Sequence, residues 1–372
     1  MDQRVIETVE THQWLEHEIG GYEAAAEAET QIEEGRSALA RCIGASPNEV
    51  AYVESATTAY AAALSAFDWG PGDVILMSRF DYASNQIMAL SLQRRRQVRL
   101  VRADDLPEGG VDPESVRTLI RVHRPKLVSM THMPTSTGLI QDVEAVGEIC
   151  AEHEVPYLVD ACQTVGQMPI DVARIRCDFL AATGRKYLRG PRGTGFLFVA
   201  EQRLRVGAAP VFVDMRGADW ARDQGYDLRP DARRFELWES NVAARLGIGA
   251  AAELALEIGL DRIAERSADL AERIRERARE APFAQPIDVG QRQGGIVSLR
   301  LRPGGDAPHA QDVVVALRQR GINTSAIELT SARLDLEDRG ECESALRVSP
   351  HVVTTNDEID RLFEALDEIL GD

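Results

Sequence analysis

The 372-residue chain is 44% hydrophobic and 27% charged, and its 60 Asp and Glu outnumber 42 Lys and Arg for a formal net charge of −18. That balance excludes a nucleic-acid or anionic-membrane binder, whose phosphates would repel it. No apolar run approaches the roughly 20 residues needed to cross a bilayer. The five cysteines are widely spaced and form no C-x-x-C pair, so neither a disulfide framework nor a metal site is expected. A polar, acidic N-terminus adds the expectation of a cytoplasmic protein.

Residues 2–43 predict helix, with Val5, Val9, Trp14 and Leu15 at apolar spacing and a break at Gly20 and Gly21. From residue 50 short apolar runs alternate with helical ones. Strands are expected at 50–53, 73–77, 98–101, 127–131, 157–159, 179–181 and 195–198, and helices at 57–67, 85–93, 116–123 and 143–153. Such alternation with short connections predicts an open, largely parallel α/β sheet. A charged helical stretch over 243–281, broken at Gly259, leads to a smaller α+β unit with strands at 294–301 and 345–349 and helices at 310–320 and 357–370. The expected organisation is an N-terminal helix (1–20) packing with the small domain, a large α/β domain (21–240), connecting helices (241–281) and a small C-terminal domain (282–372).

Chemistry concentrates in a few short motifs. Lys186 follows Thr183-Gly184-Arg185 in a glycine-bounded run, and about two dozen residues upstream an expected strand runs into Asp160, with Gln163 just beyond. Ser55-Ala56-Thr57-Thr58 opens a helix directly after a strand, where free N–H groups and the helix dipole favour an anion. The remaining motifs are Asp81-Tyr82-Ala83-Ser84-Asn85, Thr131-His132-Met133-Pro134-Thr135-Ser136-Thr137-Gly138 and Arg347-Val348-Ser349-Pro350-His351.

Together these motifs resemble a class-V member of the fold-type-I pyridoxal-phosphate (PLP) enzymes, the group of cysteine desulfurases, isopenicillin N epimerase and hercynylcysteine sulfoxide lyase. The resemblance spans nearly the whole chain. It implies a large domain with a mostly parallel seven-stranded sheet plus a smaller α+β C-terminal domain. It also implies pyridoxal 5'-phosphate as cofactor, with Lys186 as the catalytic Schiff-base lysine. By the D-x-x-Q match Asp160 pairs with the ring nitrogen and Gln163 with the phenolic oxygen. Ala56, Thr57, Thr183 and Arg185 hold the phosphate; Arg185 replaces the usual His of S-x-H-K. Tyr82 stacks on the ring, and Thr135 stands where an Asn usually reaches the cofactor oxygen. His132 is structural. Arg347 clamps the carboxylate of a small amino-acid substrate. The run 233–241 is similar to R-F-E-x-G-T-x-N, but Trp238 and Glu239 replace Gly-Thr. A homodimer with its active site at the interface is implied.

The family leaves the reaction open. A cysteine desulfurase needs a nucleophilic Cys on a small-domain loop, and residues 324–333 contain none. Cys342 is flanked by Glu341 and Glu343, which raise rather than lower a thiol pKa. Gly20-Gly21-Tyr22, residues 185–193, residues 326–329 and residues 347–352 resemble the hercynylcysteine sulfoxide lyase branch, which implies C–S cleavage of an S-substituted cysteine or its sulfoxide by α,β-elimination. An epimerase of the isopenicillin N type, an aminotransferase and a non-catalytic PLP-binding protein are the alternatives. Relatives of this type usually begin with a short strand and a Gly-rich segment before the first helix. The chain starts at that helix, which implies either an upstream start or a more open pocket.

Overall fold

The structure, a computed structural model, describes residues 1–303, 307–337 and 343–371. Three helices open the chain: α1 (Gln3–Ile19), α2 (Gly21–Glu27) and α3 (Glu29–Cys42). The first break falls at Gly20, whose φ of +99° suits glycine; a second, at Ala28, carries no glycine or proline to announce it. The alternating region follows as β1 (Val50–Val53), α4 (Ala56–Ser65), β2 (Val74–Met77), α5 (Ala83–Arg96), β3 (Arg99–Arg102) and α6 (Pro113–His123). It continues through β4 (Leu127–Thr131), α7 (Val143–Glu152), β5 (Tyr157–Asp160), α8 (Val172–Ile175), β6 (Phe179–Thr183) and β7 (Gly195–Val199).

Among the described residues these strands form a seven-stranded sheet in the order β1-β7-β6-β5-β4-β2-β3. The pairs from β6 to β3 are parallel, whereas β7 runs antiparallel to both its neighbours. Helices cover both faces, so strands such as Val-Ile-Leu-Met of β2 are buried throughout and read as continuous apolar runs. The register aligns Thr131 with Asp160 and Asp160 with Ala181, so the C-terminal ends of β4, β5 and β6 lie side by side. Ligand clefts of open α/β sheets lie at such strand ends.

Next come α9 (Glu201–Arg205), the hairpin β8 (Ala218–Ala221) and β9 (Gly225–Leu228), and two long helices, α10 (Val242–Ile258) and α11 (Leu260–Glu280). The chain ends with β10 (Ala284–Pro286), β11 (Val297–Leu301), α12 (Ala310–Gln319), β12 (Ser325–Glu328), β13 (Ser344–Val348) and α13 (Asn356–Leu370). The second sheet is antiparallel in the order β10-β11-β13-β12. Among the described residues no helix is long and apolar enough to cross a membrane.

The first helix lies along α10: Val5 joins the large core with Ile248, and Arg4 pairs with Glu257 at 2.8 Å. The connecting helices are also divided. Ile248, Ala251 and Ala252 of α10 belong to the large core, while Leu270, Ala271 and Ile274 of α11 belong to the core of the small sheet. Each helix follows its own apolar stripe, and Gly259, at φ +93°, turns the chain between them. The hairpin β8–β9 and the short strands β10 and β12 were not expected from the sequence.

Candidate active site

Asp160 ends β5 and is buried. Its Oδ2 accepts from Asn85 Nδ2 at 2.8 Å and its Oδ1 from the backbone N–H of Cys162 at 3.0 Å. Asn85 was not assigned a role from the sequence, although it closes the motif around Tyr82. Beside it lies the buried Asp81, which receives the N–H groups of Thr131 (2.6 Å) and Ser78 (3.1 Å). Burial, with the charge of Asp160 added, pushes Asp81 up to about 7 despite those bonds. Thr131 Oγ1 in turn accepts from the backbone N–H of Tyr82 at 3.2 Å, which ties the aromatic residue to the end of β4.

Lys186 sits in the loop after β6, half-buried, with Nζ 5.7 Å from the centroid of the Tyr82 ring. Burial lowers its pKa below the ordinary lysine value, and Arg185 and Arg347 act the same way against Cys162 and Asp160. Among the described residues no carboxylate lies in ion-pair range of Lys186. Thr183 is buried, and its hydroxyl donates to the carbonyl of Thr194 at 3.2 Å. Arg185 is exposed and lies near enough to both Lys186 and Arg347 to disfavour their charge.

The N-terminus of α4 opens onto the same region. Ser55 caps it by accepting from Thr58 N–H at 3.1 Å. Ala56 and Thr57 occupy the first turn, where no helical carbonyl can reach their N–H groups. Gly195 makes this approach possible: a Cβ there would lie 2.6 Å from the Ala182 carbonyl oxygen and 3.1 Å from the Ala56 nitrogen.

Gln163 is buried and donates from Nε2 to Thr135 Oγ1 at 2.8 Å. The carbonyl of Thr135 accepts from Arg347 Nη1 at 3.3 Å, so the small domain reaches the same loop. Tyr187 strengthens that junction, donating to the Gly295 carbonyl at 2.9 Å and stacking on His351 with centroids 5.7 Å apart. His351 Nε2 lies 2.9 Å from the Tyr187 carbonyl. His132 is buried too; burial and Arg292 push it down to about 4, so it is neutral, and its Nδ1 has no hydrogen-bond partner among the described residues. Under the 233–241 run, buried Glu236 pairs with buried Arg36 and accepts the Tyr52 N–H at 3.0 Å, anchoring the loop that exposes Trp238. Lys186, Tyr82, Asp160, Gln163, Thr135, Arg185 and Arg347 thus lie near one another around the ends of β4, β5 and β6, with Ala56 and Thr57 at the turn that Gly195 admits.

The chain is 29% identical over 362 residues to a probable cysteine desulfurase of Methanothermobacter thermautotrophicus, covering 95% of this chain and 87% of the relative. It is 28% identical to isopenicillin N epimerase of Streptomyces clavuligerus, with coverages of 91% and 84%. It is also 28% identical to a probable hercynylcysteine sulfoxide lyase of Mycobacterium tuberculosis, with coverages of 95% and 84%. The fold matches that of the apo cysteine desulfurase of Thermococcus onnurineus at a TM-score of 0.88 and 24% identity, over 100% of this chain and 92% of that one. With the family model for class-V aminotransferases matching residues 2–362, from α1 into the last helix, the chain belongs to that family of PLP-dependent enzymes.

Proposed function

We propose that the protein is a cytoplasmic, homodimeric enzyme that breaks the C–S bond of an S-substituted cysteine or its sulfoxide by α,β-elimination. The observation that carries this reading is a pair of half-buried basic side chains, Lys186 and Arg347, near enough to act on each other's charge and with no carboxylate partner for either among the described residues. In a chain with net charge −18, two such unpaired cations suit a bound aldehyde and the α-carboxylate of an amino acid.

The donor set fits pyridoxal phosphate. Lys186 meets the aldehyde, Asp160 the ring nitrogen, Gln163 and Thr135 the phenolic oxygen, and Tyr82 the ring face. The open N–H groups of Ala56 and Thr57, with Arg185, meet the phosphate. The Thr183 hydroxyl proton is engaged by Thr194, which leaves those groups as the stronger donors. When bound, the cofactor supplies a sink for the electrons left at the α-carbon.

The chain's own residues do the rest. Arg347 grips the carboxylate and so sets which bond at the α-carbon is broken. Lys186 takes the α-proton, and its lowered pKa keeps more of the amine neutral and able to accept it. Asp160, held by Asn85 and the Cys162 N–H, presents its carboxyl group to the ring nitrogen. The C–S electron pair departs with sulfur, which takes up a proton, and water converts the remaining three-carbon fragment to pyruvate and ammonia. No protein thiol is required. Cys162 lies beside Lys186, but burial and Asp160 push its thiol well up, which makes it a poor persulfide carrier. Cys342 lies outside the described residues.

Incubating the cofactor-loaded protein with S-methyl-L-cysteine sulfoxide is expected to yield pyruvate and ammonia in equal amounts. Loss of the α-hydrogen without pyruvate would move the assignment to epimerisation, and accumulation of pyridoxamine phosphate to transamination. The homodimer is supported by aromatic surface on and near the β8–β9 hairpin, where the register partners Trp220 and Tyr226 are 87% and 61% exposed. Sedimentation at twice the chain mass of 40.9 kDa is expected, and sedimentation as a monomer overturns that part. Cys42, Cys150 and Cys177, buried and free of disulfides among the described residues, suit a reducing compartment.

A further inference from the structure

The small sheet carries one polar row on the face it turns to the large domain. Arg347 of β13 is the register partner of Ser298 on β11 and of Ser325 on β12. Residues paired across strands project to the same side. One position along, Val297, Leu346 and Val348 point the other way, into the core of the small domain. The row is directed at the loop that carries Thr135. Ser298 Oγ donates to the Ser136 carbonyl at 2.6 Å, and Arg347 Nη1 to the Thr135 carbonyl at 3.3 Å.

Arg347 Nε donates to Ser325 Oγ at 3.0 Å. Nε carries a single hydrogen, so this bond sets the plane in which the guanidinium lies. Nη2 and the second hydrogen of Nη1 have no protein acceptor among the described residues, and they form one edge of a donor fork. Tyr187 and Tyr82 face the group, burial holds it below the ordinary arginine value, and Arg185 opposes its charge. Such a guanidinium gains most from an incoming anion, provided its plane is held.

The geometry points to Ser325 as a positioning residue that orients Arg347 for the substrate carboxylate. The inference rests on reading Arg347 as the carboxylate clamp. Ser325 touches no substrate itself and acts through the Nε bond. It occupies the stretch where a cysteine desulfurase needs its thiol, and in this chain that stretch serves the arginine instead.

The test compares S-methyl-L-cysteine with its methyl ester, each titrated into the cofactor-loaded protein and read from the visible absorption of the cofactor. The unaltered protein is expected to bind the acid more tightly than the ester. Ser325→Ala is expected to weaken the acid about tenfold, the worth of one hydrogen bond to a charged group, and to leave the ester unchanged. Ser325→Thr, which keeps the hydroxyl, is expected to restore the acid. If Ser325→Ala binds the acid as the unaltered protein does, or weakens acid and ester equally, or is not rescued by threonine, the role of Ser325 is overturned while the clamp stands. If the unaltered protein fails to bind the acid or does not distinguish it from the ester, the clamp reading itself falls.

Discussion

Replacing Lys186 by alanine is expected to lower turnover by about four orders of magnitude and to leave the fold intact. The side chain is half-buried and pairs with no carboxylate among the described residues, so its removal strands no opposite charge. In the proposed reading, what disappears is the amine that joins the cofactor and then takes the α-proton. Two readouts separate these roles. Borohydride treatment followed by peptide mass analysis should add the cofactor's mass to the peptide containing Lys186 in the unaltered protein and nothing to the variant. Turnover of S-methyl-L-cysteine sulfoxide should fall with it, and added methylamine should restore part of the proton transfer. Turnover within tenfold of the unaltered protein would dismiss Lys186 as the base.

Asp160→Asn is expected to cost about three orders of magnitude in turnover and to speed loss of the cofactor on dialysis. An amide carries no charge to keep the ring nitrogen protonated. The local bonding suffers as well, because Asn85 Nδ2 and the Cys162 N–H both donate to the carboxylate. An asparagine offers one acceptor oxygen, so one of these donors would face another donor. A variant that retains both the cofactor and normal turnover would remove Asp160 from the mechanism, whatever its burial.

The alternation of strand and helix across the large domain was legible because strands covered on both faces become continuous apolar runs, as in β2 and β5. The β8–β9 hairpin was not, because Asp219, Trp220, Tyr226 and Asp227 all remain exposed and neither face hides from water. Short strands such as Ser325–Glu328 likewise hold too few residues to display a period.

In the site the same division holds. Lys186, Asp160 and Gln163 were open to proposal from the sequence because each belongs to a local motif at or just beyond the end of a strand. Asn85 was not, since its partner Asp160 lies 75 residues away and becomes a neighbour only when the first turn of α5 settles beside the end of β5. Ser325 escaped notice for a similar reason: its value lies in the register that sets it opposite Arg347.

The amino-acid order determined the cofactor chemistry, through motifs and the family they resemble, and it determined the parallel sheet and the approximate place of most large-domain elements, since motifs and hydrophobic period are local properties. Tertiary structure alone decided that Arg347 reaches the Thr135 carbonyl across 212 residues and that α1 lies along α10. Contacts between distant segments depend on how two separate cores pack against each other, and no short stretch of sequence contains that information.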